Sequence, residues 1–411
     1  MQKNTKKYVS ILPIMFLPLY ITTSGIFIAE VSVTGLHLGK TGFVLPLVFF
    51  IGILLFFNIL VKTLKTHRIN KDILENPIIK IFIIFVVYFI LLVAIGSLFS
   101  GNYRGLIKLV QFLTGGVGIV ISVYLFSIKR ISPPQFFGYL TLFFVVIIFI
   151  QSVTSIVMFG VNPLSGAMYP SILGAGIYQS RVYFPYLVTL IFFCGLPYLI
   201  KRFGSWTIIL FLVFLFYIFT LQVRGAMVSF VVMSVFYLIF VSNIKFKYLA
   251  LFPALAMPFL FEFISSNKEV LGRIGEVEKV QDLNGRTDLW INILKEMGTS
   301  NFLFGSYLND IDNISAHNQY FEFLTLSGFF PLMILTVLVV FSLKMFKDSF
   351  KYNNHTLRIF SLIMITTLLV DLNVNVPLTN TNPAIHYWFF WSGIYFYYME
   401  VVKGKGKIHN V

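Results

Sequence analysis

An all-α, polytopic membrane protein is the fold class this sequence predicts, and three observations carry it. Only 11% of its 411 residues are charged, under half of the roughly 25% typical of a soluble domain. Apolar residues make up 58%, with 48 Phe spread along the whole chain. Runs of about 20 apolar residues, long enough to cross a ~30 Å hydrocarbon core as helix, recur about twelve times. This balance excludes an ordinary cytosolic enzyme, a disordered chain and a nucleic-acid-binding domain. The net charge of +15 does not change that, because most Lys and Arg sit where membrane topology places them. Cys194, the single cysteine, lies inside an apolar run and leaves no disulfide framework or thiolate metal site.

The runs begin near Ile11, Phe43, Ile78, Ile107, Phe136, Tyr183, Trp206, Gly225, Tyr248, Tyr320, Arg358 and Ile385. The first follows Lys3, Lys6 and Lys7 and continues to Ala29 without an Ala-x-Ala-like cleavage site. It reads as a retained signal-anchor. Even-numbered runs give onto basic segments: Lys62 to Lys80, Lys129-Arg130, Lys201-Arg202, Lys245 to Lys247, Lys344 to Arg358, and the C-terminal tail with Lys403, Lys405 and Lys407. With the N-terminus these hold 21 of the 31 Lys and Arg. The positive-inside rule therefore makes both chain ends cytoplasmic, and an even helix count agrees. Each basic pair serves as a stop-transfer anchor.

Residues 1–411 form one integral membrane domain with two long outward segments. Residues 160–182 are rich in Gly, Pro, Ser and Tyr. Residues 265–316, between the ninth and tenth runs, hold eight of the sixteen acidic residues and five Lys or Arg. Long outward loops in a lean membrane protein are where function concentrates. Within the second, Leu289, Trp290, Ile293, Leu294 and Met297 share one helical face. A short amphipathic helix over Arg286 to Met297 is expected near the outer membrane surface, entered through a turn at Asn284-Gly285.

A few residues could carry chemistry. Arg224 stands between two apolar runs with almost no loop. An arginine near hydrocarbon costs about 2.5–3.5 kcal/mol at a helix centre, and outward placement runs against the topology rule. An anion site outweighs a snorkelling anchor there. Arg286 opens the loop helix and could offer a bidentate fork to a phosphate or diphosphate, against an exposed ion pair with Asp288 or Asp282. Arg181, beside Tyr178 and Tyr183, suits sugar binding and an interfacial aromatic belt about equally. Arg104 and Arg273 carry less. Among six histidines, His67, His355 and His409 lie in basic segments, while His37 and His386 stand isolated and read as structural. His317 sits where the long loop re-enters the membrane and can accept a proton from a hydroxyl near neutral pH. A helix-capping or core histidine bonded to Asn318 or Glu322 is the plainer alternative. Asp310-Ile311-Asp312 has the look of a nucleotide-sugar metal site, but such donors are cytoplasmic and this loop faces outward. It is read as a solvated turn, and no metal or cofactor is expected.

Three segments in order then resemble the O-antigen polymerase and O-antigen ligase superfamily of the bacterial cell envelope. They are Val223-Arg224-Gly225-Ala226; Gly285-Arg286-Thr287-Asp288-Leu289-Trp290 with Phe302-Leu303-Phe304-Gly305; and His317-Asn318-Gln319-Tyr320 through Leu326-Ser327-Gly328-Phe329. The resemblance covers the chain from about Arg181 onward. It implies an enzyme of the bacterial inner membrane with its active site facing the periplasm, using no metal or nucleotide. Its substrate would be an undecaprenyl-diphosphate-linked oligosaccharide, transferred with inversion; membrane lipids and a chain-length regulator are the further partners implied. Carried over, Arg224 and Arg286 bind the diphosphate and stabilise its leaving charge, and His317 is the general base. Arg181, Asn318, Tyr320 and Glu322 line the substrate. Gln319 stands where some relatives carry an acidic residue, so Glu322 is the candidate to orient His317. Joining repeat units of O-antigen or capsule is the favoured activity. Ligation of the finished glycan to a lipid A core shares the same residues, and a lipid-linked oligosaccharide flippase is a third reading that the lack of a visible internal repeat disfavours.

Overall fold

The computed structural model describes residues 25–27, 44–46, 53–59, 73, 75–100, 104–159, 171–172, 177–178, 183–221, 223–242, 286–308, 318–374, 377–379 and 381–404. These are almost wholly helical. Helices α1 (Pro77–Ser100), α2 (Arg104–Ser122) and α3 (Pro133–Phe159) come first, α2 passing into a π-helical turn at Val123–Ile128. Then follow α4 (Phe184–Phe203), α5 (Thr207–Thr220), α6 (Arg224–Phe240), and two short loop helices, α7 (Arg286–Glu296) and α8 (Thr299–Phe304). The last group is α9 (Gln319–Ser327), α10 (Phe330–Lys351), α11 (His355–Thr366) and α12 (Thr381–Val402). A second π-helical turn, Thr367–Asp371, and Leu372–Val374 extend α11.

Among the described residues, six stretches are long and apolar enough to cross a membrane: Pro77–Leu98, Gly105–Ile128, Pro133–Val153, Phe184–Thr220, Phe330–Lys351 and His355–Val374. The chain is thus a multi-pass membrane protein by length and composition. Phe184–Thr220 is itself folded back. Gly204 takes φ +54°, a left-handed conformation that ends α4. Across the turn Phe184 meets Tyr217 edge-on at 6.3 Å and Phe192 meets Phe214 at 4.8 Å, so α4 and α5 run antiparallel. The runs expected from Tyr183 and Trp206 are therefore two helices, although α5 with 14 residues spans only about 21 Å. With 22 residues, α12 reaches about 33 Å, and its many Tyr and Trp lower its hydropathy.

Most helix starts lie within four residues of those read from hydropathy. The run expected from Tyr320 differs. Gly328, at φ +78°, divides it into α9 and α10, and Pro331 in the first turn of α10 starts the crossing at Phe330. Near the N-terminus, β1 (Gly25–Phe27) pairs antiparallel with β2 (Val44–Pro46), at the ends of stretches expected to be helical. Thr22, Thr23 and Ser24 before Gly25 disfavour a continuing helix there. Between α3 and α4, β3 (Ser171–Ile172) pairs with β4 (Ile177–Tyr178). The run from Tyr248 lies outside the described residues.

The core is set by close backbone approach and stacked rings. On α2, a Cβ added at Gly118 would stand 2.0 Å from the Ile385 carbonyl oxygen of α12. Small residues at such a contact let two backbones touch. The pair is parallel, since Gly115 meets Ala384 and Trp388 while Gly118 meets Ile385 and Phe389. Gly195 of α4 likewise admits Thr141 of α3, whose hydroxyl donates to the Ile191 carbonyl at 2.7 Å. Phe82, Phe85 and Phe112 close around Trp388, and Phe89 packs on Phe85 and Phe112 behind them. Outward faces carry exposed Val, Ile and Phe, as helices in lipid require.

Polar contacts gather at the two ends of the bundle. At the end where α4 and α6 finish, Lys403 pairs with Glu75 at 2.6 Å, Tyr398 donates to Asp348 at 2.7 Å, and Arg358 donates to the Phe240 carbonyl at 3.0 Å. The opposite end is where α2, α4, α6 and α12 begin, and it holds the residues considered next.

Candidate functional site

The site is organised by the first turn of α9. Asn318, immediately before it, is buried with extended backbone, and its side-chain oxygen accepts from the Tyr320 and Phe321 amides at 2.9 and 3.3 Å. This is the N-cap that Asn supplies best. The same carboxamide donates to Asn373 Oδ1 at 3.2 Å. Gln319, also buried, accepts from the Leu378 amide at 2.8 Å, and the Tyr320 hydroxyl donates to the Leu368 carbonyl at 2.5 Å. Three successive side chains thus fasten the turn to the segment Leu368–Leu378. Asn318 and Tyr320, expected among the substrate contacts, spend these polar atoms on holding the turn. His317 and Arg181 lie outside the described residues; Asn318 and Tyr183 are their nearest described neighbours.

Two other predicted segments reach the same place. Arg224 is the first residue of α6. The next residue, Gly225, is so closely approached that a Cβ would stand 1.9 Å from the Tyr186 hydroxyl and 3.1 Å from a Val374 methyl. Val374 adjoins Asn373, the partner of Asn318. Arg286 is the first residue of α7. One turn on, Trp290 stacks flat on Phe321 of α9, with centroids 5.1 Å apart and planes 9° from parallel. Downstream, the Ser306 and Leu308 amides donate to Thr325 and Leu326 at 2.9 and 2.7 Å. The segments opened by Arg224 and Arg286 therefore converge on the turn that begins with Asn318.

Ionisable groups line this end. Glu322, one turn into α9, lies 3.9 Å from Lys108 of α2, both largely buried. Tyr183, at the entrance to α4, is within electrostatic reach of Glu322. Deeper, Asp371 in the second π-helical turn is 1% exposed and accepts from the Tyr387 hydroxyl of α12 at 2.8 Å. Tyr183 and Tyr186 are within electrostatic reach of Tyr387. Trp391, one turn further along α12, donates to Thr367 Oγ1 at 3.0 Å. The arrangement is a cluster of buried polar groups packed against aromatic rings. A carboxylate at this depth needs its donors, because an unpaired charge there is expensive. Among the described residues no three His, Cys, Asp or Glu side chains gather to hold a metal ion.

Lys108 and Asp371 are the residues sequence reasoning passed over. Each is a lone charge inside an apolar run, Ile107-Lys108-Leu109 and Val370-Asp371-Leu372. The default that intramembrane ionisable groups are functional, applied to Arg224, selects both. No protein-family model matches the chain, and no curated protein matches it.

Proposed function

We propose that this protein is a polysaccharide polymerase of the bacterial inner membrane, joining lipid-linked oligosaccharide repeat units on the outer face. The observation that carries the reading is convergence. Segments opened by Arg224 and Arg286 meet at the Asn318 turn, which follows His317 in the sequence, in a chain with few charges. The topology that belongs to this reading has about twelve crossings, cytoplasmic termini and periplasmic loops at 160–182 and 265–316.

The chemistry follows from these groups. An acceptor sugar hydroxyl attacks the anomeric carbon of the donor, and the bond from that carbon to the phosphate oxygen breaks with its electron pair leaving on the diphosphate. His317 takes the hydroxyl proton, an effect typically worth 10²–10⁴-fold. Arg224 and Arg286 neutralise the departing diphosphate, each charge-assisted bond contributing about 1.5–3 kcal/mol. Arg181 positions the donor. Glu322, with its Lys108 partner, keeps the polar wall in place below. Metal and nucleotide play no part in this scheme.

The test is a gel of surface polysaccharide from a strain lacking the gene beside its complemented parent. A ladder reduced to core plus one repeat supports the polymerase. Bare core with polymer retained on its carrier lipid assigns the ligase reaction instead, which uses the same three residues. An unchanged ladder refutes both and returns attention to lipid-linked oligosaccharide transport. Complementation with His317→Ala or Arg286→Ala should fail at normal protein level.

A further inference from the structure

The outer loop helices expose more apolar surface than a solvated loop tolerates. On α7, Ile291 and Leu294 are exposed, and on α8, Phe302, Leu303 and Phe304 are each at least 40% exposed. Scattered apolar residues on a surface need no explanation, but a contiguous patch does. Position decides what covers this one. Phe302 stacks on Phe329, with centroids 5.3 Å apart and planes 20° from parallel, and the Phe329 amide donates to the Phe302 carbonyl at 2.9 Å. Phe329 and Phe330 head the exposed stripe of α10, which continues through Met333, Val337, Val340 and Leu343. That three-to-four-residue spacing is the lipid-facing side of a crossing helix. The exposed rings of α8 prolong this stripe at its outer end.

The segment is also held tightly. A Cβ at Gly328 would stand 2.1 Å from the Leu303 carbonyl oxygen, and one at Gly305 would stand 2.4 Å from the Ser327 amide nitrogen. Tyr307 lies against Gly96 of α1, and Tyr88 of α1 donates to the Ser327 carbonyl at 2.7 Å. Residues 302–308 thus form a strap across the outer ends of α1 and α10, both of which present apolar faces outward.

We infer that α8 and the exposed edge of α7 are seated among the acyl chains of the outer leaflet, as an interfacial anchor continuous with the lipid-facing stripe of α10. The occupant is ordinary phospholipid, recognised by apolar area rather than by headgroup. Amphipathic helices bind this way, with their apolar face a few ångströms below the headgroups. Through the Trp290–Phe321 stack, the same seating holds the start of α7 over the Asn318 turn. The inference stands whether the protein is a polymerase, a ligase or a transporter.

Cys194 is the single cysteine and fully buried, which makes site-directed spin labelling practicable. In a Cys194→Ser background, nitroxides placed by Leu303→Cys, Phe304→Cys, Val340→Cys and Ser300→Cys are compared in phosphatidylethanolamine–phosphatidylglycerol vesicles. Labels at 303 and 304 should collide with oxygen in preference to a water-soluble nickel chelate, as at 340, while the label at exposed Ser300 shows the reverse. Nickel access at 303 and 304 matching that at 300 overturns the inference, and so does shielding from both reagents, which would mean a protein partner covers the face. A second measurement uses the unaltered chain: photoactivatable acyl-chain probes followed by peptide mapping. Adducts within 291–304 as well as 330–343 are expected; adducts in 330–343 alone refute the anchor.

Discussion

Replacing Asn318 with Ala removes three hydrogen bonds at once and tests whether the turn before α9 is as rigid as its contacts imply. The Tyr320 and Phe321 amides lose their acceptor, and Asn373 Oδ1 loses its donor. Loss of an Asn cap costs about 1 kcal/mol, and a neutral bond to a buried partner adds about another 1 kcal/mol. The expected destabilisation is about 2 kcal/mol, close to a thirtyfold rise in the opened population. The buried Cys194 thiol supplies the assay. Under conditions where opening equilibrates before labelling, its modification rate by a fluorogenic maleimide in detergent follows that population. Asn318→Ser keeps a neutral cap acceptor and loses only the donor to Asn373, so it should recover about half of the effect. A wild-type labelling rate in Asn318→Ala, or equal rates in the two variants, would refute the capping argument.

Other substitutions probe the same bundle. Tyr387→Phe should leave Asp371 short of its donor and destabilise by about 1–3 kcal/mol, read as a lower thermal midpoint in detergent; an unchanged midpoint would show the bond is not needed. Lys108→Met should destabilise by about 2 kcal/mol, reduced from the fully buried case because Lys108 is partly exposed, and adding Glu322→Gln should restore most of it in a double-mutant cycle. Glu75→Gln at the opposite, more exposed pair should change stability by less than about 1 kcal/mol, despite its shorter 2.6 Å separation. Gly118→Ala should lower folded yield sharply, because the atoms it meets are backbone and cannot give way. Gly298→Ala, with open space around it, should be neutral in the same expression assay.

Six of the described stretches, not twelve, are long and apolar enough to cross a membrane, but helix starts were legible wherever hydropathy alone decides them, as for α1, α3 and α6. The division of the tenth run was not. Leu326, Phe329 and Phe330 continue the apolar pattern, and the positive φ of Gly328 against Leu303, with Pro331 opening the next helix, separates α9 from α10. That contact joins residues distant in sequence, which periodicity does not register. Both β pairings escaped for a similar reason, each strand being two or three residues long. In the candidate site, the motif around Asn318 was visible, but its role as a fastening was not, since its partners Asn373 and Leu378 lie more than fifty residues away. Lys108 and Asp371 were visible as isolated charges inside apolar runs, but their partners Glu322 and Tyr387 are set by tertiary contact that periodicity does not register.

The contact between α2 and α12 has a mechanical consequence. Two helices whose backbones touch at Gly118 and Ile385 cannot slide or roll without first lifting apart, and lifting would break the edge-on contacts of Trp388 with Phe82 and Phe112. They act as a stator. Both begin at the polar end, so α2 presents Lys108 and α12 presents Tyr387 from a fixed frame. The α9 turn, fastened through Asn318, Gln319 and Tyr320 to the segment that extends α11, is held to that same frame, so relative motion is left to the elements that none of these contacts reaches.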